Sequence, residues 1–425
     1  MALCLVTPFA AAQSQKLPPM TAADAIGAEI YASTASTGMV MVIVRDGEVY
    51  LQGYGQTAPG SLQRPGAHSL IRLCSLSKIL TADLLYKLVA DRTVQFTDPL
   101  QTYAPTGATV PTLTFHGPAI RAITLGDLAT HTSGLPREQL PSPRGAAAFT
   151  FPNHRQRWAW LPTQKLRTSP GTAAQYSNVA FDLLSDAVES ATGQPYPQLF
   201  QQRTATPLGL TETTLTPTPE QCARLMVPAQ RASDCADTRA SAGSSGMYST
   251  AADMTLWLKY LLGLPGVPVH QNAAALASYV DPAQLTSVKG MDHAGDPTGL
   301  GLGWVRLGQP GDASMIIEKT GGGGGFSTYI ALDPTRHSGV FLAATDGSVF
   351  THTHLYQQVN NLLLILSGLP AQPLPVDPLP PTRPSSLHKT RATRITRKPS
   401  RTIAHKKITH PAATAKKRKP TAPKH

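Results

Sequence analysis

The stretch Ile71-Arg72-Leu73-Cys74-Ser75-Leu76-Ser77-Lys78-Ile79-Leu80, continuing through Leu84, Leu85, Leu88 and Val89, constrains the fold more than any other part of the chain. Its apolar residues fall on most sides of a helix, so a helix starting near Ser75 has to lie buried between two layers. Such a helix carries Ser75 and Lys78 on one face, three residues apart. A serine hydroxyl is a weak nucleophile at neutral pH and needs a base within hydrogen-bond reach. A lysine one turn along can be that base, or tune another, once partial burial and nearby positive charge lower its pKa. Read alone, Ser75 is equally a helix cap, a role serine fills well. A second Ser-x-x-Lys, Ser386-Leu387-His388-Lys389, sits among prolines and lysines without apolar periodicity, so nothing there would bury it.

The rest of the chain supplies the layers. Met39 to Val44 and Glu48 to Leu51, separated by Asp46-Gly47, predict a hairpin with a two-residue turn. The first strand is apolar without alternation, so both of its faces should be covered. Thr21 to Ala35 has a helical pattern. From Asp98 to Ser241 strands are scarce, and helical patterns such as Phe181 to Val188 alternate with Pro- and Gly-punctuated loops. Met315 to Lys319, Phe326 to Leu332 and Gly339 to Ala344 then predict three strands, and Leu355 to Leu366 a closing helix. The fold class is therefore α/β (α+β): one antiparallel sheet assembled from both ends of the chain, flanked by helices, with an inserted all-α lobe.

The net charge of +12 over 425 residues looks at first like that of a nucleic-acid binder. From Ala371 to His425, however, 14 Lys and Arg face a single acid, Asp377, so the tail carries +13 and the preceding 370 residues −1. Pro370 to Pro384 should be extended, and the Lys/Arg/Thr/Ala/Pro sequence beyond it has too little to bury to fold. At the other end, Met1 to Ser14 has a short apolar run ending at Ala10-Ala11-Ala12, as in a secretory signal, although without a basic start. No apolar run is long enough to span a membrane. The expected divisions are a signal peptide at 1–14, a globular domain at 20–368 and the spacer and basic tail at 369–425. Within the domain, the sheet layer covers about 20–97 and 242–368 and the helical lobe about 98–241. In an oxidising compartment Cys222 and Cys235 are a candidate local disulfide; otherwise they are two free surface thiols. No histidine lies near either, which disfavours metal.

Two further elements carry chemistry. In Gln175-Tyr176-Ser177-Asn178 a tyrosine can relay a proton and an asparagine can hold a substrate amide, although alone this reads as an aromatic core residue beside a turn. Glu318-Lys319-Thr320-Gly321-Gly322 ends a predicted strand. There Lys319 and Thr320 can grip a carboxylate, and the N–H of Gly322 can join that of Ser75 in an oxyanion hole. Gly321 to Gly325 would otherwise be a loose turn. A phosphate loop is excluded, because no Lys-Ser/Thr follows the glycines.

Ser75-x-x-Lys78, Tyr176-x-Asn178 and Lys319-Thr320-Gly321, in this order, resemble the three motifs of class C β-lactamases and related low-molecular-mass penicillin-binding proteins. Thr132 to Gln139, Gln221 to Val227 and Ile317 to Gly325 are more closely similar to AmpH-type D-alanyl-D-alanine carboxypeptidase/endopeptidases. The resemblance covers roughly Ala22 to Gly368 and leaves out the basic tail. It implies a β-lactamase/transpeptidase-like fold and a Ser75 acyl-enzyme, with Tyr176 and Lys78 sharing the base role. Substrate binding falls to Asn178, Lys319, Thr320 and Gly321, and the oxyanion hole to Ser75 and Gly322. No metal or organic cofactor is expected. The partners are peptidoglycan peptides, with β-lactams as covalent inhibitors or poor substrates. The protein would be periplasmic, its tail directed to anionic envelope surfaces and nucleic acid not expected. Cys74 departs from the alanine expected before the nucleophile and would leave the site more open to oxidation. His131 is read as a structural loop residue. The rival readings are a β-lactamase or carboxylesterase on the same scaffold, and a non-catalytic peptidoglycan-binding envelope protein.

Overall fold

The computed structural model describes residues 19–20, 22–112, 121–139, 150–230, 234–267, 272–291, 293–345 and 354–375. The expected signal peptide, Ser386 to Lys389 and the basic tail lie outside the described residues. Helix α1 (Ala22–Ser33) precedes the hairpin of β1 (Gly38–Arg45) and β2 (Glu48–Gly55). Asp46 and Gly47 form its turn with φ of +48° and +88°, the left-handed values that a tight two-residue turn needs. β3 (Leu70–Arg72) leads through the nucleophile stretch into α2 (Ser77–Ala90).

The middle of the chain is helical: α3 (Leu125–Ala129), α4 (His154–Trp160), α5 (Asn178–Thr192), α6 (Tyr196–Phe200), α7 (Thr206–Leu208) and α8 (Pro219–Cys222), with the two-residue β4 (Ala174–Gln175) before α5. β5 (Tyr248–Thr250), α9 (Ala251–Leu261), α10 (Asn272–Ala275) and the short β6 (Val288–Lys289), β7 (Gly299–Leu300) and β8 (Val305–Leu307) follow. The chain then forms β9 (Ile316–Gly323), β10 (Phe326–Asp333), β11 (Ser338–Thr345) and α11 (Leu355–Leu366).

The main antiparallel sheet has the order β2-β1-β11-β10-β9-β8-β7, so both ends of the chain build it, as the sequence pattern anticipates. β1 shows why its sequence does not alternate. Val40, Val42 and Val44 face the core with α2, α5 and α9, whereas Met39, Met41 and Ile43 face the core with α1 and α11. Each face of the strand is covered, so each residue is apolar.

The described chain continues past Gly368. Leu369 packs against the α1/α11 core, and Asn361 exchanges two hydrogen bonds of 2.8 Å with the backbone of Gln372. Cys222 and Cys235 are disulfide-bonded. The bridge ties together two segments that serve β3. Arg224 O and Met226 N pair with Leu70, and Asp234 O accepts from the Arg72 guanidinium, which stacks 4.6 Å over the Tyr248 ring. The disulfide thus braces the strand that enters the nucleophile turn.

Candidate active site

Ser75 does not begin the α-helix as expected; it sits in a 3₁₀ turn, Cys74–Leu76, just before α2. Cys74, the first residue of this turn, has a φ of +51°, a left-handed value that costs a non-glycine residue on the order of 1 kcal/mol. The turn is held from two sides. Leu73 N donates to Met247 O at 2.9 Å, and Thr328 Oγ1 on β10 donates to Leu73 O at 2.9 Å. Ser75 makes no cap; its Oγ instead meets Tyr176 Oη at 2.6 Å and Lys78 Nζ at 3.4 Å.

The Cys74 thiol is fully buried and its Sγ donates to Gly323 O at 3.2 Å. Burial pushes it up to about 12, so little reactive thiolate forms. The expectation of an oxidation-prone site is thereby corrected: the thiol is a packing contact between the nucleophile turn and β9.

Tyr176 is delivered by a strand-to-helix junction. β4 ends at Gln175, Ser177 caps α5 by accepting from Ala180 N at 3.0 Å, and Asn178 is the first helical residue. Lys78 is fully buried, and its ammonium has three acceptors: Asn178 Oδ1 at 2.6 Å, Ser244 O at 2.7 Å and Ser75 Oγ. Burial pushes Lys78 down to about 7; the carboxylates of Asp182 and Glu138 oppose that fall and Arg137 adds to it. A neutral Lys78 keeps two N–H groups for Asn178 and Ser244, and its lone pair then faces Ser75. Asp182, one helical turn beyond Asn178, accepts from Ser244 N at 3.0 Å. Burial raises its carboxyl to about 6, against the pull of Arg157, of that hydrogen bond and of Lys78.

Cations gather on the Tyr176 ring, with Arg137 Cζ at 4.6 Å, Lys78 Nζ at 4.8 Å and Lys319 Nζ at 5.2 Å from its centroid. His131, expected to be only a loop residue, belongs to this arrangement. Its ring stacks on Tyr176 at 4.6 Å and its Nδ1 accepts from Ser177 N at 3.0 Å. Burial and the Lys78, Lys319 and Arg137 charges hold His131 well below its usual value, so it is neutral and carries its proton on Nε2.

β9 forms the facing wall. Lys319 to Gly322 end a strand as expected, β9 running on to Gly323, and the loose-turn alternative holds only for Gly324 and Gly325. A Cβ on Gly321 would lie 2.2 Å from Thr328 Oγ1 and 2.9 Å from Leu73 O, so only glycine lets the nucleophile turn approach this strand. Lys319 is buried, with Nζ donating to Thr320 O at 2.8 Å. A cavity of about 180 Å³ is lined by Ser75, Tyr176, Thr320, Gly321 and Gly322, together with Arg137, Gly290, His293 and Tyr356. Of the expected site residues, Ser75, Tyr176, Thr320, Gly321 and Gly322 line this cavity, whereas Lys78, Asn178 and Lys319 are buried outside its lining and are linked to it through the contacts above.

Sequence reasoning assigns no role to Arg137 or Glu138, although both lie in the stretch Thr132 to Gln139, and it passes over Asp182 and Ser244. Asp182 carries a usable signal, an acid at i+4 from Asn178 on one helix face. As for metal, His154, Asp186 and Glu189 bring ligand atoms within 4.8 Å of one another. Arg157 donates to both Asp186 oxygens at 2.8 and 2.9 Å, which makes that group an ion-pair network with its own cation.

The β-lactamase family model matches residues 23–360. The chain belongs to the β-lactamase family. Within the family it is 43% identical over 349 residues to the D-alanyl-D-alanine-carboxypeptidase/endopeptidase AmpH of Escherichia coli K12, covering 81% of this chain and 89% of that one. Among solved structures it is similar to a β-lactamase/D-alanine carboxypeptidase from Yersinia pestis complexed with citrate: TM-score 0.76, 40% identity, 81% of this chain and 97% of the other. A Pseudomonas syringae β-lactamase/D-alanine carboxypeptidase, at 20% identity and TM-score 0.64 over 83% of this chain and 99% of the other, shares the fold. Among the described residues no helix is long and apolar enough to cross a membrane.

Proposed function

We propose that this chain is a serine D-alanyl-D-alanine carboxypeptidase and DD-endopeptidase acting on peptidoglycan peptides, and that penicillins acylate it at Ser75. The observation that carries the reading is the 2.6 Å contact between Tyr176 Oη and Ser75 Oγ, backed by Lys78. The 43% identity to a carboxypeptidase/endopeptidase supports the peptide substrate. Ser75 Oγ attacks the carbonyl carbon of a D-Ala-D-X bond while its proton passes to the Tyr176/Lys78 pair. The backbone N–H groups of Ser75 and Gly322 receive the oxyanion. Asn178 holds the substrate amide, and Lys319 and Thr320, with Gly321 leaving room beside them, bind the carboxylate of the leaving residue. The C–N bond breaks, the same pair returns the proton to the leaving amine, and water then hydrolyses the ester. A terminal D-Ala makes the reaction a carboxypeptidase step; the D-centre of a cross-linked diamino acid makes it an endopeptidase step. The protein acts after export to the periplasm, and the tail tethers it to anionic envelope surfaces such as lipid phosphates or peptidoglycan carboxylates.

Mass spectrometry after incubation with muropeptides, and separately with a fluorescent penicillin, tests the reading. Loss of D-Ala, splitting of dimers and a stable label are expected. Ser75→Ala should abolish the label, while Ser386→Ala should leave it intact. Rapid turnover of the penicillin with untouched muropeptides would make the protein a β-lactamase instead. Strong labelling of Ser75→Ala would overturn the site itself.

A further inference from the structure

Asp182 lies on α5 one turn past Asn178, buried and outside the lining of the Ser75 cavity. Its Oδ1 accepts from Ser244 N at 3.0 Å, and Ser244 O accepts from Lys78 Nζ at 2.7 Å. One residue, Ser244, thus joins a buried carboxylate to the amine behind the nucleophile. The Ser244 segment is pressed onto α5: a Cβ on Gly243 would lie 1.9 Å from Phe181 O, so only glycine permits the approach. Arg157 on α4 clamps the same two segments. It donates to both oxygens of Asp186, one turn further along α5, and its Nη1 donates to Ala240 O at 3.0 Å. The same Nη1 stands 3.9 Å from Asp182 Oδ2, which gives Asp182 a permanent counter-charge.

That counter-charge bears on Lys78. A buried carboxylate whose sole cation was Lys78 would be stranded whenever Lys78 gave up its proton, and would hold the lysine as an ammonium. With Arg157 beside it, Asp182 stays compensated while Lys78 turns neutral. We propose that Asp182 is a positioning residue for acyl transfer: through Ser244 it fixes the direction of the Lys78 amine, and its charge biases Lys78 towards the ammonium. The proposal rests on the acyl-enzyme reading above, in which Tyr176 and Lys78 share the Ser75 proton. Other groups also face Lys78. From the loop after α3, Arg137 and Glu138 act on it with opposite signs, and Asp182 opposes its fall more strongly than Glu138 does. Lys319 on β9 adds a cation, while the Cys74 thiol and the His131 imidazole beside the Tyr176 ring are uncharged. Asp182 is faced in turn by Arg157 from α4, Lys78 from α2, Asp186 from its own helix and Tyr196 from α6. Asp182 is therefore the carboxylate whose removal should move Lys78 most.

Two substitutions separate charge from position. Asp182→Asn keeps an oxygen for Ser244 N and removes the anion, whereas Asp182→Ala removes both. The second-order rate of Ser75 acylation by a fluorescent penicillin is measured from pH 5 to 9 for wild type and each variant. Without the anion the ammonium gives up its proton at lower pH. The Asp182→Asn profile should therefore move by about one pH unit towards acid, with its alkaline plateau lowered by no more than a few-fold. Asp182→Ala should show the same acid shift and a plateau roughly tenfold or more below that of Asn, because the Lys78 amine is no longer aimed. If the Ala variant does not fold, the Asn profile decides alone. An Asn profile that coincides with wild type or moves towards alkali would overturn the proposal, even with a lowered Tm, since Asp182 would then be structural only. An Ala plateau equal to that of Asn would overturn the positioning through Ser244. A wild type that is not labelled at Ser75 would overturn the acyl-enzyme reading and this proposal with it. Labelling at Ser75 with an unmoved Asn profile would overturn this proposal and leave that reading standing.

Discussion

Tyr176 Oη lies 2.6 Å from Ser75 Oγ, while Lys78 Nζ stands back at 3.4 Å with two better acceptors. The phenol is therefore the group in direct contact with the nucleophile, and the lysine is held where its charge acts on both. Tyr176→Phe removes one oxygen and leaves the ring to stack on His131. Acylation by penicillin should fall by roughly 10²- to 10⁴-fold, the usual worth of a positioned acid/base, with little change in Tm. Near-wild-type acylation by this variant would transfer the base role to Lys78 alone.

Lys78 also gives the reaction a pH dependence. Burial brings its ammonium down to about 7, so the neutral form that can accept the Ser75 proton grows as pH rises through that region. The second-order rate of acylation should rise on the alkaline side of pH 6 and level off above pH 8, with a midpoint that belongs to the Lys78–Asp182 pair rather than to either residue. Stopped-flow labelling across pH 5 to 9 measures it, and a flat profile would mean that the proton goes elsewhere. Lys78→Ala should lose nearly all acylation, because residues that act as one unit fail together when one is removed.

The three motifs are legible in the sequence because each belongs to a locally determined element: an apolar helix, a capped junction before α5, a strand ending in glycine. What is not legible comes from packing between distant segments. His131 reaches Tyr176 only because its loop lies against the α5 junction. Arg137 reaches the same ring from further along that loop, with no periodicity to announce it. The glycine run reads equally as a strand end or a loose turn, because composition alone does not separate the two. The requirement for glycine at position 321 comes from Leu73 and Thr328, and Leu73 is remote in sequence.

Glu318 supplies a stability test. It is buried beside Tyr329 and Tyr356, its Oε2 has no hydrogen-bond partner among the described residues, and burial raises its carboxyl from 4.5 to about 8 against the opposing charge of Lys319. Below pH 4.5 both folded and unfolded chains keep this proton, and its contribution to stability is fully present. As pH rises towards 8 the unfolded chain ionises while the folded one does not, so that stability is progressively lost. Glu318→Gln cannot ionise. Its Tm advantage over wild type should therefore grow between pH 5 and 8 and stay constant above about 8. A Tm difference independent of pH would mean that Glu318 is ionised in the folded protein.

The basic tail acts, on the proposed reading, at a distance from the chemistry. Its +13 charge follows a proline-rich spacer and lacks the apolar residues needed for a core of its own. As an electrostatic tether it should act on large anionic substrates and leave the chemistry at Ser75 alone. Because Leu369 and Gln372 pack against α11, the informative truncation ends after Pro375 rather than at Gly368. That shortened chain should cleave small D-Ala-D-Ala peptides as fast as the full chain. Against intact sacculi at low salt it should be slower. The attraction is screened over about 8 Å at physiological ionic strength, so the difference should close as salt is raised. Equal rates on sacculi at every salt concentration would remove the tether, and a loss of activity on the small peptide would show that residues beyond 375 support the fold.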